Sequence, residues 1–295
     1  MIFLKTVKIK VADIVIEYTY NFDDYFRGNI EQYIVLVEEA RYRINCMIVD
    51  DIEEIDIDGL TKIDNRDYYL SQTLEVVKVY HPGTRVLSQL VYFDKLRKTC
   101  EIKLNRLSIK DLAMQEYALS GVIFMEIALM EGYLPLHASA ISFDDQAILF
   151  AGKSTVGKST QSTMWRFYFK DRVELINDDK PLIFVKSGML FVTGSPFSGK
   201  DSLSKNLTRR IRMIVFLEKE LAPFIEHLDS KTKVELIFRN TINIGHVETI
   251  DNIVSIITKI VEEIDIIRFY ATKNYDSVEY LEKYLEGKFE DETVS

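Results

Sequence analysis

The sequence predicts an α+β protein in two parts: a strand-rich N-terminal domain over residues 1–108 and a second part, 109–295, built around a glycine turn. Three observations predict it. Residues 1–108 alternate apolar and polar positions in short runs rich in β-branched and aromatic side chains. Residues 110–131, "KDLAMQEYALSGVIFMEIALME", are apolar on nearly all sides, as a helix buried against a sheet would be. The apolar strand "QAILFA" runs directly into a glycine turn and then into helical sequence.

Taken in order, "VKIKVADIVIEY", "EQYIVLV", "YRINCMIVD", "LEVVKVY", "VLSQLVYF" and "TCEIKL" read as strands, with "HPGTR" at 81–85 a turn. No catalytic constellation stands among them. "EIDIDG" at 54–59 has the carboxylate spacing that opens a calcium loop, but Asn65 occupies the position of the closing glutamate. It therefore reads as a solvated acidic turn. After the long helix, "GYLP" leads into the strand "LHASAISF", and Asp144-Asp145 turns the chain back into "QAILFA". A helix is expected over 158–169, then the strand "VELIN" ending at Asp178 and Asp179, then a hairpin of "PLIFV" and "MLFVTG". "SPFSGKDSLSKNLTRR" reads as a basic loop and "IRMIVFL" as a strand. A helix at 249–262, the strand "IDIIRFYA" and a helix at 276–287 complete the chain.

Composition narrows the function. A formal net charge of −9 argues against a general nucleic-acid binder, which presents a basic face. The N-terminal apolar stretch is broken by Lys5, Lys8 and Lys10, and "GVIFMEIALM" is interrupted by Glu126 and too short to span a bilayer. A soluble, cytoplasmic protein without membrane partners is expected. Cys46 and Cys100 stand in unrelated contexts, as two buried thiols of a reducing compartment would.

The chemistry concentrates in Gly152-Lys153-Ser154-Thr155-Val156-Gly157-Lys158-Ser159, which fits G-x-x-x-x-G-K-[ST] throughout. Glycines let the backbone curl so that successive N–H groups face one anion. A helix opening at Lys158 turns free N–H groups and its positive dipole end toward phosphates. Lys158 adds charge for the β- and γ-phosphates, and the Ser159 hydroxyl can ligate Mg²⁺. With Thr160 beside it, this segment is expected to bind ATP.

Three further groups bear on the fate of a bound nucleotide. Asp178 and Asp179 end a strand, where one carboxylate can hold metal and the other accept the proton of an attacking hydroxyl. Between Ser198 and Arg212 stand five cations, Lys200, Lys205, Arg209, Arg210 and Arg212, against the single anion Asp201. Such an excess in an acidic protein reads as an anion site for the transferred phosphoryl group or an acidic substrate, with Lys200 the candidate contact. His137 lies just before the strand feeding the turn and can donate to a phosphate oxygen, whereas Trp165 reads as core.

The ordered trio "LHASAISFDDQAILFAGKSTVGKST", "LINDDKPLIFV" and "GSPFSGKD" resembles the HPr kinase/phosphorylase group, whose nucleotide-binding core is shared with the phosphoenolpyruvate carboxykinases. The resemblance covers residues 130–235. It implies a mixed sheet with hairpins around the P-loop and transfer of a phosphoryl group from ATP or pyrophosphate to a serine hydroxyl. By match, Lys158 and Ser159 are phosphate and Mg²⁺ residues, the pair Asp178 and Asp179 supplies the base and a metal contact, with Asp178 as the base and Asp179 as the metal contact, and His137 corresponds to the histidine upstream of the loop. Thr160 stands where those kinases carry a glutamate, and their Gly-Arg-Gly segment, linked to dephosphorylation, is absent. The resemblance is therefore to divergent members that phosphorylate serine, free or in a peptide or protein, rather than to the phosphorylases acting on HPr. The strand-rich domain would then recognise substrate, since a peptide can add to a sheet edge. Related kinases form rings, so analogy of fold implies a homo-oligomer. The alternatives are a plain NTPase or carboxykinase-like enzyme, and a nucleotide-dependent binding or regulatory protein.

Overall fold

The computed structural model describes residues 4–63, 67–197, 204–241 and 247–287. The chain divides into two compact units, Met1–Ile127 and Ala128–Ser295. The first contains an eight-stranded sheet with a long helix, and the second contains a mixed, partly curled sheet with helices on both faces. Together they make an α+β architecture.

In the first unit, β1 (Lys5–Val11) and β2 (Ile14–Tyr20) form a hairpin. The short helix α1 (Phe26–Asn29) leads to β3 (Tyr42–Val49), followed by β4 (Thr61–Ile63), β5 (Tyr68–Leu70), β6 (Leu74–Tyr80), β7 (Leu87–Asp94) and β8 (Thr99–Asn105). The order across the sheet is β1-β2-β3-β8-β7-β6-β5-β4, with β3 parallel to both β2 and β8. The expected strand "EQYIVLV" is not one. Glu31–Tyr33 form a single 3₁₀ turn, and Leu36 and Val37 project into solvent at 89% and 94% exposure. That segment touches β1 through the Ile9–Ile34 bridge and a Val35 N–H donated to Lys8 O, too little ladder to hold a strand. The acidic turn at 54–59 is exposed and bends through Gly59 at φ +79°, with the Asp58 N–H on the Asp56 carboxylate.

Helix α2 (Leu112–Met130) packs on this sheet through buried polar contacts as well as apolar ones. Glu116 accepts the backbone N–H groups of Asn21 and Phe22 and the Asn21 amide, and Tyr18 donates to Ser120 Oγ at 3.1 Å. Among the described residues α2 alone is long and apolar enough to cross a membrane, and 61% of that stretch is buried within the protein. Cys46 and Cys100 are free and buried, and burial pushes both thiols up.

The second unit opens with β9 (Leu134–Pro135), β10 (Ala138–Phe143) and β11 (Gln146–Ala151), the last two joined by Asp144 and Asp145. Both aspartates have positive φ, the backbone a two-residue hairpin requires. Helix α3 (Lys158–Phe169), β12 (Val173–Asn177), β13 (Leu182–Lys186), β14 (Met189–Thr193) and β15 (Thr208–Lys219) follow. β15 therefore begins within the expected basic loop. The chain ends with β16 (Phe224–His227), α4 (Ser230–Asn240), α5 (Val247–Glu263), β17 (Asp265–Ala271) and α6 (Asp276–Leu285). The sheet runs β12-β10-β11-β15-β14-β13-β9, and β17 pairs with the later half of β15. One face is covered by α4 and α5 through Ile237, Ile253, Ile257 and Ile260. The other is covered by α3 and α6 through Met164, Trp165, Val278 and Leu281. Trp165 is fully buried among Phe143, Phe150 and Phe169, a core residue as its sequence context suggests.

Candidate functional site

Topology gathers the candidate residues. β10 is antiparallel to both β11 and β12, so β11 and β12 run the same way and end at the same edge of the sheet. The glycine loop leaves the end of β11, Asp178 and Asp179 leave the end of β12, and His137 enters β10 at that edge. None of this adjacency requires proximity in sequence.

The loop has the backbone its glycines allow. Gly152 sits at φ +132°, Thr155 at +65° and Gly157 at +118°. Gly152 passes so close to β15 that a Cβ there would meet Leu217 O at 3.1 Å and Val156 Cγ1 at 3.2 Å. Gly157 is the N-cap of α3, with no side chain capping the helix start and no acidic residue in the first turn. The first N–H groups of α3 are thus left by the chain to whatever binds there. Ser154, Thr155, Ser159 and Thr160 are exposed along the loop and first turn, while Lys158 is buried. Its Nζ folds back onto Gly152 O at 3.1 Å and Lys153 O at 3.3 Å. Burial holds the Lys158 ammonium below its usual range, against the pull of Asp179 and Asp178.

The aspartates face different neighbours. Ser139 Oγ donates to Asp178 Oδ1 at 2.7 Å and lies 2.8 Å from the Ser162 hydroxyl on α3. Asp179 lies 3.6 Å from His137 Nε2 and 2.7 Å from Lys180 Nζ. The His137 backbone N–H is anchored on Asn240 O at 2.8 Å. Burial, then the charges of Lys158 and Lys180, lower the imidazole pKa from 6.5, with Asp179 opposing them. His137 is therefore disposed to be neutral at pH 7. Lys158, His137 and the two carboxylates form one electrostatically connected group.

The basic segment behaves differently from the sequence reading. Arg210 pairs in register with Gln146, at the far end of β11, about 17 Å of strand away from the loop. Lys205 is paired with Glu174 at 2.9 Å, Arg209 with Asp145 at 3.2 Å, and Arg212 donates to Leu285 O. The side chains of Lys205 and Arg209 are thus engaged with Glu174 and Asp145, and that of Arg212 with the end of α6, rather than with Asp178 or Asp179. Lys200 lies outside the described residues.

Beside the loop a cleft of about 180 Å³ opens between α3 and the ends of β15 and β17, lined among others by Thr155, Gly157, Gln161, Lys219, Thr272 and Lys273. Gln161 Nε2 spans it to Thr272 O at 3.3 Å. Among the described residues no group of three or more His, Cys, Asp or Glu side chains could hold a metal on its own. The donors at hand are oxygens, those of Asp178, Asp179 and the Ser159 hydroxyl. That set suits a Mg²⁺ ion shared with phosphates and water, which needs only one or two carboxylates.

Sequence reasoning missed Ser139, Ser162 and Asn177. Ser139 and Ser162 carry no motif; only the pairing of β10 with β12 and α3 makes them neighbours of Asp178. Asn177 had a readable signal, an asparagine at a strand end immediately before two aspartates, which is a side chain suited to a turn.

No protein-family model matches the chain. No curated protein matches it either. Among solved structures the chain is similar to the HPr(Ser) kinase/phosphatase from Coxiella burnetii, at 13% sequence identity and a TM-score of 0.31. That similarity covers 52% of this chain and 94% of the other. A likeness at that score says nothing of family or of chemistry.

Proposed function

We propose that the protein is a phosphotransferase that moves the γ-phosphate of ATP to a serine hydroxyl of a peptide, protein or small molecule, with Mg²⁺. The observation that carries this reading is the gathering of Lys158, His137, Asp178 and Asp179 at the uncapped start of α3, behind a loop curled through two positive-φ glycines. The first N–H groups of α3 and the Lys158 ammonium would take the β- and γ-phosphates. Lys158 would exchange its two loop carbonyls for phosphate oxygens, whose negative charge would favour the ammonium that burial disfavours. The adjoining cleft has room for part of the nucleoside.

When bound, Mg²⁺ supplies charge neutralisation between the phosphates; Ser159 and Asp179 are the residues to hold it. Asp178, fixed by Ser139, accepts the serine hydroxyl proton. The serine oxygen then bonds to the γ-phosphorus as the bond to the bridging oxygen breaks, and ADP leaves with that electron pair. His137, neutral and close to Lys158, donates an N–H toward a phosphoryl oxygen.

The two aspartate roles separate experimentally. ATP consumption is measured against Mg²⁺ concentration for the wild type, Asp178→Asn and Asp179→Asn. Loss of the base lowers the rate at every Mg²⁺ concentration, by roughly 10²–10⁴-fold. Loss of a metal contact moves the Mg²⁺ midpoint upward instead. Two variants that both match the wild type would overturn the assignment.

A further inference from the structure

We propose that Asn177 is a positioning residue for the reaction: it sets the turn that turns Asp178 toward α3 and Asp179 toward His137. The inference rests on the phosphotransferase reading and adds a residue that would touch neither nucleotide nor metal.

The strand ladder cannot by itself hold the two aspartates. β12 pairs with β10 as Leu175 opposite Ile141 and then Asn177 opposite Ala140, so Ile176 has no partner and the register shifts there. A bulge of this kind re-aims the chain beyond it. Past Asn177, the β10 side adds the Ala138 N–H donated to Asp179 O at 3.2 Å and the Leu136 N–H donated to Pro181 O at 3.1 Å, and no contact to the Asp178 backbone is among them. The Asn177 side chain does the rest. Its Oδ1 accepts the Asp179 N–H at 2.9 Å and the Lys180 N–H at 2.7 Å, closing a turn through the amide. Its Nδ2 donates to Ser195 O at 3.2 Å and Ser204 Oγ at 3.3 Å. An asparagine amide offers two acceptor and two donor positions, and Asn177 uses all four while fully buried. The turn is thereby tied at one end to the aspartates and at the other to the chain after β14 and before β15.

Near-isosteres do not reproduce this. An aspartate keeps the acceptor but faces Ser195 O with an oxygen and buries a third negative charge beside Asp178 and Asp179. A serine can reach one N–H two residues on but cannot span to Ser195, so it keeps part of the turn. Alanine keeps none.

The test uses the full chain with Asn177→Ala and Asn177→Ser, with ATP, Mg²⁺ and free serine as the probes. Three quantities are followed: amide hydrogen exchange at Asp179 and Lys180, kcat, and KM for ATP. In Asn177→Ala, exchange at the two amides is expected to rise about tenfold, confined to that turn. kcat should fall about 10²-fold, the scale of a catalytic group displaced by an ångström, while KM for ATP stays within about threefold. Asn177→Ser should recover part of both losses. Should alanine fail to fold, the serine variant alone must show the same split between kcat and KM. Wild-type kcat and unchanged exchange in Asn177→Ala overturn the inference and leave the phosphotransferase reading standing. So does a general rise in exchange along β12 with kcat and KM changed together, which marks a merely structural role. A wild-type protein that neither consumes ATP nor phosphorylates any acceptor removes the reading itself, and the positioning role with it.

Discussion

Replacing Gly152 with alanine tests the loop on which the site is built. Two costs add at that position. The first is conformational, since φ +132° is accessible to glycine and strained for any L side chain, about 1–3 kcal/mol. The second is steric. The new methyl would stand 3.1 Å from Leu217 O, a backbone atom of a strand held in register with Phe269 of β17, and it cannot retreat as a side chain could. Overpacking of this kind costs about 1–3 kcal/mol more. Gly157→Ala is the internal control: its φ of +118° is strained too, but nothing lies within 4 Å of the added methyl. Thermal unfolding of the unit should therefore fall by roughly 4–24 °C for Gly152→Ala and by roughly half as much for Gly157→Ala, at about 2–4 °C per kcal/mol for a unit of this size. Circular dichroism melting of the two variants and the wild type reads the difference. A Gly152→Ala protein that melts with the wild type, or above Gly157→Ala, would refute the close passage of the loop over β15.

Ser139→Ala removes the hydroxyl that fixes Asp178 and should cost about 1–3 kcal/mol in urea unfolding, with a lower turnover rate; an unchanged midpoint and rate contradict it. Glu116→Ala strips two backbone N–H groups and the Asn21 amide of their acceptor and should destabilise the first unit by about 3 kcal/mol, read by chemical denaturation. His137 should titrate below 6.5 by NMR in protein free of nucleotide and Mg²⁺, since burial and Lys158 disfavour the imidazolium. Lys158→Met should move that pKa up and Asp179→Asn should move it further down. The unfolded chain takes up this proton before the folded one does, so His137 makes stability fall as pH drops from 6.5 to the native pKa. A native pKa at or above 6.5 sinks the electrostatic account.

The parts of the fold that were legible in the sequence are those where local pattern and tertiary role agree. β12 and α3 lie where their apolar periodicity and turn residues put them, and the paired aspartates at 144–145 mark their hairpin. "EQYIVLV" had the apolar, β-branched composition of a strand but found almost no ladder beside β1, so Leu36 and Val37 remain in solvent. β16 and α4 went unread because β16 is four residues long and α4 has a modest apolar stripe. The start of α4 was nonetheless signalled by Asp229, whose carboxylate caps the Thr232 N–H at 2.8 Å. At the site, the loop was legible because its function would demand particular residue types in a fixed order. The approach of His137 to Asp179 and the serines around Asp178 depend on strand order, which no local pattern encodes. The cationic segment misled because charge was counted along the chain. In the fold, Lys205 and Arg209 meet Glu174 and Asp145, and strand register carries Arg210 to the far end of the sheet.

The most direct measurement of the central claim is the fate of the labelled γ-phosphate of ATP in the presence of Mg²⁺. Wild type, Lys158→Ala and Asp178→Asn are each given free serine and a set of serine-containing peptides, and free phosphate is followed in parallel. The account predicts label on a serine acceptor with the wild type and on none with either variant. Nucleotide bound without transfer to any acceptor, or label released only as free phosphate, would contradict it.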